Sequence, residues 1–214
     1  MENKACQPLN NPLLNSHFII FKSHYGVREA NRQDVPSIAK MIQDLADYLG
    51  KRDELKIGEK VYLLLNMCFT IELLRDGFGK HPLFHCVIAE ERVENIEELN
   101  DHTPTQNLEA PKKNKEALGV AIYYFTYSTW EGPVLYVEDL FVTPNARGQG
   151  IGSSLMAAIA KIAKSCDCQR MQWVSPSSER TMGFYRKLGA KSMLDWRLFR
   201  MEKSDIEELS LASE

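Results

Sequence analysis

The stretch Leu140-Phe141-Val142-Thr143-Pro144-Asn145-Ala146-Arg147-Gly148-Gln149-Gly150-Ile151-Gly152-Ser153 decides how the rest of the chain is read. Its apolar start continues a strand-like run from Val134, and its end feeds a helical pattern over Ser153–Cys166. Leu155, Ile159, Ile162 and Ala163 recur there on one face. Between strand and helix lies a turn with three alternate glycines. Without Cβ atoms, its backbone amides can approach a ligand closely. They sit where a helix N-terminus leaves unpaired donors and positive potential, which together receive a diphosphate. Arg147 can add a charge-assisted contact or brace the turn. A Walker loop would end in Gly-Lys-Ser/Thr, and this turn has no Lys. The dinucleotide fingerprint needs Gly where Ser153 stands, and Asp167, in the position of a ribose partner, falls in a Cys-rich turn. Both nucleotide motifs are excluded.

Outward from the turn, Leu118–Thr126 and Val134–Val142 read as a hairpin, joined by a loop with Ser128, Gly132 and Pro133. Upstream, His17–Arg28 reads as a first strand and Phe84–Glu90 as a buried one. Asp34 is a candidate N-cap with Pro36 just inside, and Ile38, Met41, Ile42, Leu45 and Leu49 follow at helical spacing until Gly50. A second helix covers Val61–Arg75 and stops at Gly77 and Gly79. Downstream, Met171–Val174 and Ser192–Met201 read as strands around a short helix, Glu179–Leu188. Helices and strands alternate only in part. The fold class expected is therefore α/β (α+β), a mixed sheet flanked by helices.

The chain of 214 residues, 44% hydrophobic and 26% charged, is an ordinary globular composition. A net charge of −3 gives no general attraction to nucleic acid or an anionic membrane. Five cysteines, Cys6, Cys68, Cys86, Cys166 and Cys168, form no regular framework, which points to reduced thiols in the cytoplasm. Cys166-x-Cys168 lacks a second pair at zinc spacing, so no metal site is expected. No segment has the length and apolarity of a membrane span or a secretory leader. Residues 1–16 read as a flexible tail, 17–204 as one domain and 205–214 as a C-terminal tail. Residues 91–116, acidic first and then carrying Lys112, Lys113 and Lys115, read as a surface insertion.

The spacing Arg147-x-x-Gly150-x-Gly152 before a helix resembles the acyl-coenzyme A pyrophosphate loop of Gcn5-related N-acetyltransferases (GNAT), and Gly183–Ala190 follows in that family's order. Four further blocks resemble one branch, the diamine (spermidine/spermine) N-acetyltransferases. They are Asp76–Pro82, Tyr123–Tyr127, Leu135–Val142 and Trp196–Phe199. The resemblance runs from about Val27 to Lys203, apart from the insertion. It implies a twisted, splayed sheet, acetyl-CoA as co-substrate and a homodimer.

Acetyl transfer to an amine requires the amine to lose its proton, the carbonyl oxygen to be stabilised and the departing thiolate to be neutralised. Tyr185 is the candidate for giving that proton, since a phenol at about 10 is protonated at neutral pH. Its residue pattern fits a core-packing aromatic equally well, and the resemblance selects catalysis. Glu138 and Asp139 are adjacent on a strand and so face opposite ways unless a bulge re-aims one, as the resemblance implies. A carboxylate in the cleft would attract the cationic amine and take its proton through water, a role assigned to Glu138. The resemblance also assigns the cofactor to Leu140, Phe141, Val142, Arg147, Gly148, Gln149, Gly150, Ile151, Gly152, Ser153, Ser178 and Thr181. It assigns the substrate to Tyr48, Glu138 and Asp139, and Trp130 is a further substrate candidate that could stack on an aliphatic or cationic chain or else anchor its loop. Three positions depart from the branch. Leu49 and Ser128 stand where acidic residues are expected, and Ser178 replaces an Asn. The first two remove negative charge and favour a smaller amine, lysine-like or thialysine, over a long polyamine. Two other readings remain: acetylation of protein lysines or N-termini, recruited by the acidic stretch from Glu90, and a catalytically weak acetyl-CoA-binding module.

Overall fold

The computed structural model describes residues 19–22, 24–55, 62–92 and 116–211. The predicted tail 1–16 and residues 93–115 of the predicted insertion lie outside them. The chain divides into two compact units after Val174.

The first unit is built on a six-stranded sheet in chain order, β1 (Ile20–Phe21), β2 (Tyr25–Glu29), β3 (His85–Glu91), β4 (Ala117–Ser128), β5 (Gly132–Val142) and β6 (Arg170–Gln172). All neighbours are antiparallel except β5 and β6, which are parallel, so the sheet is mixed as the sequence predicts. The single first strand expected over 17–28 is instead a tight hairpin, closed where the Lys22 amide donates to the Tyr25 carbonyl at 2.9 Å.

α1 (Val35–Leu49) forms where the apolar spacing places it and ends at Gly50, whose φ of +66° is the left-handed conformation glycine adopts without penalty. Asp34 precedes α1 but does not cap it. Asp34 accepts instead from Arg28, which also pairs with Glu90 at 2.7 Å, tying β2, β3 and the start of α1 together. α2 (Tyr62–Phe78) runs through Gly77 rather than stopping there, and the Phe84 ring packs against that glycine.

Val35, Ile38, Met41, Phe69 and Leu73 of α1 and α2 bury one sheet face with Cys86, Ile88, Val120, Ile122 and Phe141. α3 (Ile151–Ser165) covers the other face. There the Tyr25 hydroxyl meets Ser154 Oγ at 2.8 Å, and Ile151, Leu155 and Ile159 are buried. Each such aliphatic side chain contributes roughly 1.5–3 kcal/mol on leaving water. That burial fixes the start of α3 beside the end of β5.

The second unit holds α4 (Glu179–Lys187) and α5 (Lys203–Leu211). The strand expected over 192–201 does not form, and α5 occupies most of the predicted C-terminal tail. Leu194, Trp196, Leu198 and Phe199 are exposed, so the apolar alternation that suggested a strand has no described strand to pair with.

Candidate functional site

The connection from β5 to α3 has the geometry its glycines allow. One 3-10 turn over Pro144–Ala146 follows the strand, and Gly148 and Gly150 then both take φ of +82°. A Cβ on Gly148 would meet nothing within 4 Å, so the backbone angle rather than crowding requires glycine there. Gly150 is the N-cap of α3 and has no side chain to cap with. The first-turn amides of Ile151, Gly152 and Ser153 therefore face a place suited to an anion. The Gln149 side-chain amide donates to the Asn145 carbonyl at 3.3 Å. Arg147 braces the turn through Nε, which donates to the Val142 carbonyl at 3.0 Å. Its guanidinium lies over the Tyr48 ring at 4.5 Å and the Phe141 ring at 5.6 Å. Tyr48, assigned to the substrate by resemblance, thus stands against the glycine turn.

The strand leading into this turn has one open edge. β6 pairs only with Val134–Tyr136, which leaves the later half of β5 without a described strand on that side. The Thr143 amide donates to Leu118 across the β4 side at 3.0 Å. Antiparallel alternation then turns the amides of Leu140 and Val142 to the open edge. The Arg147 bond to the Val142 carbonyl lies on that same edge. Phe141 is buried against α1 and α2 and offers its ring rather than its amide.

A bulge interrupts β5 at the two acids. Ile122 pairs with Asp139 and Tyr123 with Val137, so Glu138 is the extra residue. Asp139 shares the face of its partner Ile122, towards α1 and α2. Glu138 lies two residues beyond Tyr136, which pairs with Tyr124 on that face. Both carboxylates are therefore brought to one side of the sheet, which an unbulged strand would not do. Glu138 is exposed and Asp139 half-buried. Burial, and then the Glu138 charge, push the Asp139 carboxyl up to about 6. The Tyr124 and Tyr136 rings stack beside the pair, 5.1 Å apart. The sequence reading passed over these two tyrosines as site residues; their signal is shared strand parity with Glu138, visible once register is known.

In the second unit, Ser178 caps α4, its Oγ accepting from the Thr181 amide at 3.3 Å and donating to Thr181 Oγ1 at 2.8 Å. Both side chains assigned to the cofactor are thus engaged with each other. Tyr185 is half-buried in α4, edge-on to Phe184, and burial pushes its phenol above the ordinary range.

Trp130 is 82% exposed at the tip of the β4–β5 hairpin. Six residues of strand separate Ser128 from Ile122, roughly 20 Å at strand rise, so the structure does not bring Trp130 to the carboxylates. Glu90, the first residue of the acidic stretch, is buried on Arg28 and unsuited to recruiting a peptide. Among the described residues, no cluster of three or more His, Cys, Asp or Glu could hold a metal. No helix among them is long and apolar enough to cross a membrane.

Residues 64–190 match the model of the acetyltransferase (GNAT) family. The chain is 33% identical to the thialysine N-epsilon-acetyltransferase of Bos taurus over 86% of its own length and 96% of that protein. It is 30% identical to the Homo sapiens spermidine/spermine N(1)-acetyltransferase-like protein 1, over 87% of this chain and 24% of that protein. Among solved structures, an integron cassette protein from V. cholerae aligns with a TM-score of 0.63 at 21% identity, covering 88% of this chain and 98% of the other. The aminoglycoside N-acetyltransferase AAC(6')-Iy in complex with CoA aligns with a TM-score of 0.56 at 15% identity, covering 86% and 99%. These two likenesses establish the fold.

Proposed function

Since the chain belongs to the acetyltransferase (GNAT) family, we propose that it moves an acetyl group from acetyl-CoA to the primary amine of a small lysine-like substrate, thialysine being the foremost candidate. The observation that carries this reading is the bulge of β5, which turns Glu138 and Asp139 onto one face a few residues before the glycine turn. The relatives named for thialysine support the choice of amine, as do Leu49 and Ser128 in place of acidic residues.

The residues present fit acetyl-CoA. The diphosphate is assigned to the first-turn amides of α3 and to Gly148 and Gly150, whose φ of +82° opens the backbone to an anion. The pantetheine arm is assigned to the outward amides of Leu140 and Val142, which can extend the sheet as a further strand would. Bound there, the cofactor supplies a thioester-activated acetyl group.

The protein groups divide the remaining work. Glu138, exposed and negative, attracts the ammonium. The proton-taking role that the sequence reading gives to Glu138 is proposed instead for Asp139. Its carboxyl, pushed up to about 6, is ionised at neutral pH yet nearer than an ordinary carboxylate to the pKa of the proton it must take. It passes that proton to water, since an amine near 10.4 cannot attack while protonated. The Leu140 amide is assigned to polarising the acetyl carbonyl. Tyr185 is protonated at neutral pH, the more so because burial raises its phenol, and is assigned to donating that proton to the departing sulfur, the phenolate then regaining one from water.

The reading includes a homodimer and a cytoplasmic setting. Exposed Leu194, Trp196, Leu198 and Phe199 support the first, and the free thiols Cys86, Cys166 and Cys168 support the second. A free-thiol release assay with acetyl-CoA against putrescine, spermidine, spermine, lysine and thialysine tests the activity. Release is expected to be fastest with thialysine or lysine. No release with any of these amines would defeat the proposal, and preference for spermine would overturn the choice of amine.

A further inference from the structure

Tyr124 and Tyr136 face each other across β4 and β5 as a direct Cα pair. Their rings are nearly parallel, 25° apart, with centroids at 5.1 Å. Each ring limits the rotation of the other, and neither side chain is fully buried. Tyr124 follows Ile122 by two residues, so it stands on the face that carries Asp139. Glu138 follows Tyr136 by two residues on the partner strand, so strand alternation sets it diagonally beside Tyr124.

Both phenols feel that carboxylate. The Tyr124 hydroxyl is pushed up to about 12, first by burial, then by the Glu138 charge and Tyr136, with the Glu138 carboxylate in reach as its acceptor. Tyr136 is raised by burial and then by Glu138. Both therefore keep their protons at neutral pH and act as donors towards an acceptor-only carboxylate. An exposed glutamate without such a donor would spread over many rotamers, and fixing it at each binding event costs entropy.

We propose that Tyr124 is a positioning residue: braced by its stack on Tyr136, it holds the Glu138 carboxylate on the face that carries Asp139, so that the incoming ammonium meets both acids together. The inference rests on the function proposed above and names the group that organises that site. The bulge brings the two acids to one face, and Tyr124 selects the Glu138 rotamer. Amine recognition thus depends on a phenol that does not itself touch the reacting nitrogen.

Tyr124→Phe keeps the ring and its stack and removes only the hydroxyl, so the full-length protein should fold unchanged. The amine KM is expected to rise roughly fivefold to tenfold, with kcat and the acetyl-CoA KM within about twofold. Introduced into Glu138→Ala, which leaves the Tyr124 hydroxyl no acceptor at that position, the same substitution should have no further effect. Equal effects in both backgrounds, or an unchanged amine KM in the single variant, would overturn the proposal. A readout independent of turnover is the side-chain carboxyl carbon-13 resonance of Glu138, identified by its loss in Glu138→Gln. It should shift in Tyr124→Phe, and a resonance that stays in place overturns the contact. Should that resonance shift while the wild-type protein acetylates no amine, the contact stands and the proposed function is what fails.

Discussion

Arg147 holds its guanidinium carbon 4.5 Å from the ring centre of Tyr48, so one cation–π contact joins the last turn of α1 to the glycine turn before α3. With Nε bound to the Val142 carbonyl, the arginine is fixed from two directions. Tyr48 thereby stands against the turn proposed to hold the cofactor.

Tyr48→Leu should therefore weaken coenzyme A binding by roughly twofold to fivefold, the worth of an exposed cation–π contact. Calorimetric titration would measure this, and the amine KM should stay within about twofold. The reverse pattern, a raised amine KM with coenzyme A affinity intact, would return Tyr48 to the substrate role that the resemblance implies.

Gly150→Ala and Gly148→Ala each force a side chain into a φ of +82°. The left-handed conformation costs an L-residue about 1–2 kcal/mol, so each melting temperature should fall by roughly 2–8 °C in a chain of this size. Coenzyme A affinity should fall with it. Differential scanning calorimetry with and without the ligand separates the two effects. Equal stability and affinity in both variants would mean that the turn is not read through its backbone.

Tyr185→Phe should lower kcat by roughly a hundredfold or more, the usual contribution of a positioned acid, while coenzyme A affinity changes little. Steady-state kinetics and calorimetry on one preparation decide it. Unchanged turnover would return Tyr185 to the packing role its residue pattern allows.

On the proposed mechanism, the Asp139 titration should move activity and stability in opposite directions with pH. Its folded carboxyl is pushed up to about 6 from an ordinary 3.8, so the folded chain binds that proton more tightly than the unfolded chain. The associated stability is complete below about 4 and is lost as pH rises through about 6. The amine kcat/KM should show the opposite trend and fall as pH drops through about 6. Asp139→Asn should melt higher than wild type at pH 8 while losing that acid limb and most of its turnover. Melting curves and a pH–rate profile provide the check; an unaltered acid limb in the variant would assign the titration to another group.

Much of the first unit was legible in the sequence because its signals are local. The Ile38–Leu49 spacing marks α1, the long β-rich runs mark the hairpin of β4 and β5, and the alternate glycines mark the turn. What was not legible depends on partners far along the chain. Ser192–Met201 has the alternation of a strand, but a strand exists only where another pairs with it, and residues 192–201 form none. The bulge follows from register, and in the sequence it left only two adjacent acids that resemblance interpreted. Tyr48 over Arg147 and Tyr124 beside Glu138 arise from tertiary packing, which no spacing rule encodes.

The most direct measurement is calorimetric titration of the full-length protein with coenzyme A, followed by pantetheine, which keeps the arm and lacks the diphosphate. Saturable heat with coenzyme A and affinity for pantetheine lower by about a hundredfold or more is the predicted result, since charge-assisted amide contacts would be lost. Equal affinity for the two ligands, or no heat with either, would contradict a phosphate grip at the start of α3.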